Sequence, residues 1–192
     1  MCGRYYIELS DPELERIARQ VEKSLSGPDL PRKLKTQGEI FPSDLVPVQT
    51  GPGSYQAMTW GFKGYQNRPV INARSETALE KPMFRDSMQF RRCLIPASGY
   101  YEWQPSDGRK LRYKFFLPQG PLFLAGCYRQ EKDNPLPSFV ILTRDAAPGF
   151  AFIHNRMPVI IPRDRTGPWL TESPETMKEP LLDLLFQEAA GI

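Results

Sequence analysis

Several features of other protein classes are scarce or absent in this sequence. It has a single histidine, and its three cysteines form no CxxC pair, which excludes the familiar Cys/His zinc frameworks. No apolar run reaches the roughly 20 residues that a membrane-spanning helix needs, and the first residues lack the basic and apolar segments of an export signal. We therefore expect an intracellular protein with reduced thiols, no metal and no membrane partner.

What is present is the composition of a folded domain. Of the 192 residues, 40% are hydrophobic and 24% are charged, as in ordinary soluble proteins. This length suits a single domain over residues 1–192 and is marginal for two. The 20 prolines are spread along the chain, which indicates many short strands and fixed loops.

Charge is distributed unevenly along the chain. The net charge is only +3, yet residues 171–192 hold five acidic side chains and one lysine. That segment therefore carries −4, and residues 1–170 carry +7. The basic excess fits a polyanionic partner such as nucleic acid, and it also fits an ordinary solvated surface.

Helices are predicted at four places. Residues 10–13 form a capping box with proline at the first helical position, and apolar residues then recur at helical spacing, so residues 11–25 should form an amphipathic helix. Shorter helices are predicted at 75–80, 82–89 and 179–189, the last with a leucine-rich stripe as its buried face.

Short alternating apolar segments predict that the rest of the chain is rich in β-strands. Asp107 and Gly108 lie between two such segments and indicate a tight hairpin. The spacing favours a mainly antiparallel sheet that curls into a barrel or splits in two, so the predicted fold class is α+β with a few peripheral helices. The predicted strands lie at 45–48, 55–62, 92–97, 100–104, 112–118, 122–129, 138–143 and 158–162.

The sequence begins MCGRY, which places a cysteine directly behind the initiator methionine. Removal of Met1 would give Cys2 a free α-amine beside its thiol, with ordinary pKa values of about 7.7 to 8.0 and about 8.5. An N-terminal nucleophile hydrolase would use this thiol on an acyl carbon. An aldehyde trap would use the amine to form a Schiff base, which the thiol would close to a thiazolidine. The alternative is a small residue near a frayed chain end.

Four other residues have both a functional and a structural interpretation. His154, set in FIHNRMPVII, is either a solvent-facing catalyst or a satisfied core residue. Glu102 lies within the aromatic strand YYEW, where a carboxylate is costly to bury unless it is paired or functional, although alternation can also turn it outward. Asn72 fits a helix N-cap, and Trp60 fits the core.

Five segments, taken in order, resemble the SOS-response-associated peptidase (SRAP) family. They are MCGR (1–4), WG (60–61), INARSET (71–77), IPASGYYEW (95–103) and FIHNRMPVII (152–161), and they span nearly the whole chain. Any one segment is weak, but the set in this order is highly specific. The resemblance implies a mixed α+β domain around a curled antiparallel β-structure, with a basic groove for DNA.

The resemblance also implies an activity and a set of catalytic residues. The protein would shield abasic sites in single-stranded DNA by a covalent crosslink, with Cys2 forming a thiazolidine with the ring-opened sugar aldehyde. Asn72 would hold Cys2 and the sugar. Glu102 would handle the α-amine proton and help to remove Met1, and His154 would assist opening of the sugar ring and Schiff-base formation.

DNA-binding residues follow from the same resemblance. Arg4 and Arg74 would bind phosphates, and Thr143 would contact the same backbone. Trp60, together with Pro42, would form a wedge that stacks on bases. The implied partner is single-stranded DNA containing abasic sites, bound by a monomer without a cofactor, in the bacterial cytoplasm at the nucleoid or in a eukaryotic nucleus.

Two other functions remain open at this point. A cysteine peptidase or amidohydrolase would share Cys2, Glu102 and His154 but act on an acyl substrate. A binding module for single-stranded or modified DNA would use Arg4, Arg74 and Trp60 without any chemistry.

Overall fold

Two β-sheets dominate the computed structural model, which describes residues 2–25, 33–132, 134–173 and 184–189. The strands are β1 (Tyr5–Ile7), β2 (Gly38–Ile40), β3 (Leu45–Gly51), β4 (Ser54–Trp60), β5 (Asn72–Arg74), β6 (Arg92–Ala97), β7 (Gly99–Ser106), β8 (Arg109–Phe116), β9 (Leu122–Arg129), β10 (Ser138–Asp145), β11 (Arg156–Pro158) and β12 (Leu185–Ala189). The α-helices are α1 (Pro12–Ser24), α2 (Arg85–Phe90) and α3 (Thr166–Thr171), and short 3-10 turns cover Tyr65–Asn67 and Arg163–Arg165.

The strands pair mainly in antiparallel fashion. One sheet has the order β12-β8-β7-β1-β2, and the other has the order β11-β10-β4-β3-β6-β9. Strand β10 runs parallel to β4 and β5 and also pairs with β9, which curls the second sheet. Strands β3 and β6 meet through the single register pair Gln49 and Leu94. The predicted fold class is therefore confirmed, with two sheets and marked curl.

The core lies between the two sheets and combines aliphatic side chains with a group of packed aromatic rings. Tyr5, Tyr100 and Phe115 come from the first sheet and meet Trp60 and Phe139 of the second. A second apolar cluster covers the opposite face of the curled sheet, where α2 and α3 pack. No helix in the described part of the chain is long and apolar enough to span a membrane.

Helix α1 confirms the predicted amphipathic helix and corrects its cap. The cap residue is Asp11, whose carboxylate accepts hydrogen bonds from the backbone N–H groups of Glu13 and Leu14. Ser10 is not the cap, because Pro12 occupies the first helical position and Asp11 immediately precedes it. The apolar face of the helix is buried as predicted.

Two of the shorter predicted helices differ in the structure. Residues 75–80 form successive turns, in which Thr77 N–H bonds to Arg74 and Glu80 N–H bonds to Thr77, three residues apart. The helix predicted at 82–89 begins later, as α2. The turns at 75–80 do not continue into an α-helix, and in the second segment the α-helix begins only at Arg85.

The terminal helix predicted at 179–189 is wrong where the structure describes it. Residues 185–189 form β12, which pairs with β8 in register from Leu185 with Phe116 to Ala189 with Arg112. Residues 179–183 lie outside the described residues. The leucine-rich pattern fits either structure, and the free edge of β8 decides in favour of a strand.

The β7–β8 hairpin is confirmed and positions part of the candidate site. Asp107 and Gly108 have φ values of 36° and 77°, the left-handed conformation that a two-residue hairpin turn requires. Ser106 therefore pairs with Arg109, and the register continues to Trp103 opposite Arg112. The strands predicted at 92–97 and 122–129 are also confirmed.

Candidate active site

Cys2 is fixed inside the protein, since its relative exposure is 0%. Its carbonyl oxygen accepts a hydrogen bond of 3.0 Å from Asn72 Nδ2. Two residues later, the Arg4 carbonyl accepts a 2.9 Å bond from the backbone N–H of Tyr101, and Tyr5 pairs with Tyr100 of β7. The first residues of the chain are therefore not a frayed end.

Glu102 and His154 line one open cleft of about 550 Å3. Glu102 lies on β7, is 5% exposed, and is close enough for its charge to act on the Cys2 thiol. His154 is half-buried and follows the turn that ends before β11. The cleft is lined by Arg4, Glu102, Trp103, Pro105, Lys110, Arg112 and His154.

The Cys2 thiol is held in its protonated form. Burial raises its pKa well above the usual range, and the negative charge of Glu102 raises it further. A backbone hydrogen bond from Arg4 acts in the opposite direction but is the smaller influence. At neutral pH the sulfur therefore carries a proton that it can transfer during a reaction.

The hydrogen bonds of His154 define its tautomer. Nδ1 accepts a 2.9 Å bond from the backbone N–H of Arg156, so the proton of the neutral ring lies on Nε2. This N–H is a hydrogen-bond donor on the ring of a residue that lines the cleft. A catalytic role for His154 stays a prediction.

Asn72 links the Cys2 end of the chain to the curled sheet. It is the first residue of β5, which pairs with β10, and its Nδ2 donates a hydrogen bond to the Cys2 carbonyl oxygen. Its Oδ1 is buried and has no hydrogen-bond partner within the described residues. A buried acceptor of this kind can bind a hydroxyl group of a ligand beside Cys2.

Arg156 supports the loop that carries His154. Its guanidinium donates to both carboxylate oxygens of Glu76, at 2.7 and 2.8 Å, and to Asp145 at 2.5 Å. It also donates to the backbone carbonyl of Thr143 at 2.7 Å. The side-chain hydrogen bond from Arg156 lowers the pKa of Glu76 from 4.5 to about 2.

This ion pair predicts an acid-dependent loss of stability. Because the folded-state pKa of Glu76 is lowered, its contribution is present above pH 4.5 and is lost as the pH falls toward about 2. Glu76 is 43% exposed, so the contribution should be about 1 kcal/mol rather than the full value of the shift. Glu76→Gln should remove it, as measured by urea unfolding at pH 7 and pH 3.

The matched control is Glu80→Gln, which changes an exposed carboxylate in the neighbouring turn. The stability difference between Glu76→Gln and the parent protein should shrink at pH 3, whereas Glu80→Gln should match the parent at both pH values. A difference that stays constant with pH would contradict the assigned role of the Glu76 charge.

Two residues predicted to contact DNA are buried instead. Trp60 is 0% exposed, its Nε1 donates to the Ile71 carbonyl at 3.0 Å, and its ring packs on Tyr5 and Phe139. It is therefore a core residue and cannot stack on a base in this structure. Thr143 is 1% exposed, and its hydroxyl lies 3.5 Å from the Ala73 carbonyl, which leaves it out of reach of a phosphate.

The other two predicted DNA contacts lie at the surface outside the cleft lining. Arg74 is exposed on β5 and has no ion-pair partner within the described residues. Pro42 is half-exposed in a turn where the backbone N–H of Asp44 bonds to Phe41 and Ser43 has a φ of 74°. Their roles in DNA binding stay predictions.

The structure adds an aromatic and ionic wall that the sequence did not indicate. The Arg4 guanidinium lies between the rings of Phe41 and Trp103, at 4.2 and 5.1 Å from their centroids. Its Nη1 donates to Glu39 at 3.1 Å, and Glu39 also accepts from Arg112. The sequence did contain one relevant signal. If the strands are paired outward from the Asp107–Gly108 turn, residue by residue, Trp103 falls opposite Arg112.

No group of three or more His, Cys, Asp and Glu side chains that could hold a metal ion occurs in the described ranges. The site combines a buried cysteine beside a carboxylate, an asparagine that anchors the same end of the chain, a histidine whose Nδ1 accepts a backbone hydrogen bond, and an arginine next to aromatic rings. This set suits nucleophilic addition to a carbonyl carbon.

Comparisons with known proteins agree with the sequence motifs. The family model described as SOS response associated peptidase (SRAP) matches residues 1–191. The abasic site processing protein YoaM of Bacillus subtilis is 37% identical over 121 residues, which cover 59% of this chain and 53% of that protein. The abasic site processing protein YedK of Escherichia coli is 30% identical over 183 residues, covering 90% of this chain and 80% of that protein.

The fold also matches solved structures. A crystal structure of a protein from Bordetella bronchiseptica superimposes with a TM-score of 0.74 at 23% identity, covering 98% of this chain and 100% of that one. The matches to the Bacillus subtilis relatives, by contrast, span about half the length of those proteins. Since the family model covers almost the whole sequence, the chain belongs to the SRAP family.

Proposed function

We propose that this protein processes abasic sites by forming a covalent crosslink between Cys2 and the sugar of the lesion in single-stranded DNA. Membership of the SRAP family and the names of the curated relatives support abasic-site processing. The observation that carries the covalent mechanism is the fixed position of Cys2, which Asn72 holds beside Glu102.

The reaction begins with the release of Met1, which gives Cys2 a free α-amine. An α-amine has an ordinary pKa of about 7.7 to 8.0, so much of it is protonated at neutral pH. Glu102, whose charge acts on the Cys2 thiol, would accept the proton from this ammonium group and so provide a neutral amine. The same carboxylate is a suitable general base for the hydrolysis that removes Met1.

The sugar must present an aldehyde before the amine can react. An abasic deoxyribose exists mostly as a closed hemiacetal, and opening it requires a proton on the ring oxygen as the hydroxyl proton leaves. His154 lines the cleft and its Nε2–H can donate a hydrogen bond to the ring oxygen, so it is the group proposed to assist ring opening as the hydroxyl proton moves to that oxygen. Asn72 Oδ1 would accept a hydrogen bond from a sugar hydroxyl.

Two additions then complete the crosslink. The Cys2 amine adds to the aldehyde carbon, and loss of water gives an imine. The Cys2 sulfur adds to the imine carbon, and its proton passes to the nitrogen, which closes the thiazolidine ring. The overall change joins amine, thiol and aldehyde with release of one water, and it needs no oxidant or cofactor.

Binding before the reaction would rest on phosphate and base contacts that do not depend on sequence. Arg4 lies within the cleft and Arg74 is exposed on β5, so each is proposed to bind a phosphate of the strand. Phe41 and Trp103 offer aromatic rings beside Arg4 for stacking, in the role first assigned to Trp60. Selectivity would then come from the aldehyde.

A crosslinking assay tests this proposal. The protein is mixed with single-stranded DNA that contains one uracil, with or without uracil glycosylase, and denaturing gels are used to detect an adduct. We expect an adduct only after glycosylase treatment. Raising the salt concentration should slow its formation but leave a formed adduct intact, because salt screens phosphate contacts and does not break the covalent bond.

The same assay separates the other two functions. A non-covalent DNA-binding module would shift the DNA in native gels and give no denaturation-resistant product. A cysteine peptidase would give neither result. It would instead cleave a peptide or amide substrate through an acyl intermediate on Cys2. Absence of an adduct with glycosylase-treated DNA, for protein that has lost Met1, would refute the crosslinking proposal.

A further inference from the structure

A carboxylate, Glu39, lies between two arginines at the wall of the cleft. Glu39 lies on β2, the edge strand of the first sheet, and pairs with Tyr6 of β1. Its Oε2 accepts a 3.1 Å bond from Arg4 Nη1, and its Oε1 accepts a bond from Arg112 Nη2. A single negative charge therefore compensates two positive charges.

The two arginines differ in how far a ligand can reach them. Arg112 is 8% exposed, and its guanidinium lies 3.7 Å from the centroid of the Tyr101 ring, which fixes it in place. The Arg4 side chain is 25% exposed. Arg4 is therefore the member of this pair that a phosphate of the DNA backbone can contact.

Glu39 already occupies Nη1, one of the terminal donors of Arg4 that a phosphate would use. Both groups are anions with oxygen acceptors, and both bind a guanidinium through its terminal N–H donors. The cleft lining contributes three positive charges, from Arg4, Lys110 and Arg112, and one negative charge, from Glu102. Glu39 lowers the local excess to one positive charge, so the cleft attracts DNA only weakly.

We propose that Glu39 is a specificity-determining residue that competes with DNA phosphate for Arg4 and so limits affinity for undamaged single strands. This inference rests on the proposed function. An undamaged strand, which gains only non-covalent contacts, is released. A strand with an abasic site is retained by the covalent bond to Cys2. Weak initial binding therefore does not prevent the protein from capturing the lesion.

Glu39→Gln tests the inference because it removes the charge and keeps the shape. Binding of an unmodified oligothymidine strand is measured by fluorescence anisotropy at several salt concentrations. We expect Glu39→Gln to bind about 3- to 10-fold more tightly at low salt, with a log–log salt slope steeper by about 0.7, because one more phosphate contact forms. Glu15→Gln, which removes a carboxylate from the surface pair with Arg19 on α1, should stay within about twofold of the parent.

Arg112→Gln gives an independent test with the opposite sign. Without Arg112, Glu39 would interact with Arg4 alone and compete more strongly, so oligothymidine should bind more weakly than to the parent. The double variant should return toward the parent affinity, since one charge of each sign is removed. If Glu39→Gln does not fold, as judged by circular dichroism, Arg112→Gln decides: equal or tighter binding would overturn the inference.

Weaker or unchanged binding by Glu39→Gln would also overturn it, and weaker binding would show that Glu39 positions Arg4 instead. The fate of the proposed function is separate. If the parent protein crosslinks glycosylase-treated DNA while Glu39→Gln binds no more tightly, only this inference fails. If the parent forms no adduct and binds no oligothymidine, both fail.

Discussion

Cys2→Ala should form no stable adduct with an abasic site, even with excess protein and long incubation. Alanine at position 2 still allows removal of Met1 and leaves an α-amine, so imine formation remains open. It has no sulfur to close the ring, and the imine hydrolyses on denaturation. We expect complete loss of the band on a denaturing gel, without loss of DNA binding in a native gel.

Two controls separate the thiol from the amine. Cys2→Ser should give an adduct only when borohydride is present to reduce the imine. Cys127→Ala removes another fully buried thiol, on β9, and should crosslink like the parent protein. A stable adduct from Cys2→Ala without reductant would refute ring closure by the Cys2 sulfur, and loss in Cys127→Ala would point to a general effect of core thiols.

His154→Ala should slow crosslinking by about 10²-fold or more while leaving the dissociation constant for single-stranded DNA nearly unchanged. The loss follows from removal of the Nε2–H group that is proposed to assist ring opening, a contribution in the usual range for general acid–base catalysis. Rates are measured by quenching at successive times with saturating protein, and affinities by anisotropy with undamaged DNA. This separation of rate from affinity distinguishes catalysis from binding.

His154→Asn tests whether the ring acts only as a support. The Asn side-chain oxygen can accept the backbone N–H of Arg156 in place of Nδ1, but it cannot supply a proton where Nε2 lies. We expect His154→Asn to be as slow as His154→Ala. A rate restored to that of the parent would show that His154 holds the Arg156 loop and does not take part in catalysis.

The sequence predicts those parts of the fold that depend on local interactions. Pro12 and the adjacent acidic residues define the start of α1, and Asp107 and Gly108 define the β7–β8 turn because they adopt positive φ. The terminal segment could not be predicted in this way. Leu185 and Phe186 form a strand because β8 offers an unpaired edge, and that edge exists only after the sheet has assembled.

The candidate site shows the same division. The chemistry of Cys2 is evident from its position in the sequence, because an α-amine beside a thiol exists only at a chain end. The location of the aromatic surface is not evident. Trp60 ends β4 and Trp103 lies within β7. The first is packed between the two sheets and the second lies beside Arg4, a difference that arises only from the packing of the sheets.

Long-range ion pairs are the least predictable part of the site. Glu39 is 35 residues from Arg4 and 73 from Arg112, and no local pattern links them. These contacts form only because β1 lies between β2 and β7 in the sheet, and because the hairpin places β8 beside β7. Charge patterning could indicate a basic excess in residues 1–170, but not that a carboxylate would moderate it at the cleft.

Mass spectrometry of the digested adduct tests the central claim most directly. After nuclease and protease treatment, the modified peptide should begin at Cys2, lack Met1, and carry the sugar remnant through both its nitrogen and its sulfur, so that its thiol resists alkylation. The unmodified Cys93 and Cys127 peptides provide internal controls for alkylation. A remnant attached to a lysine, or to a peptide that retains Met1, would contradict the account.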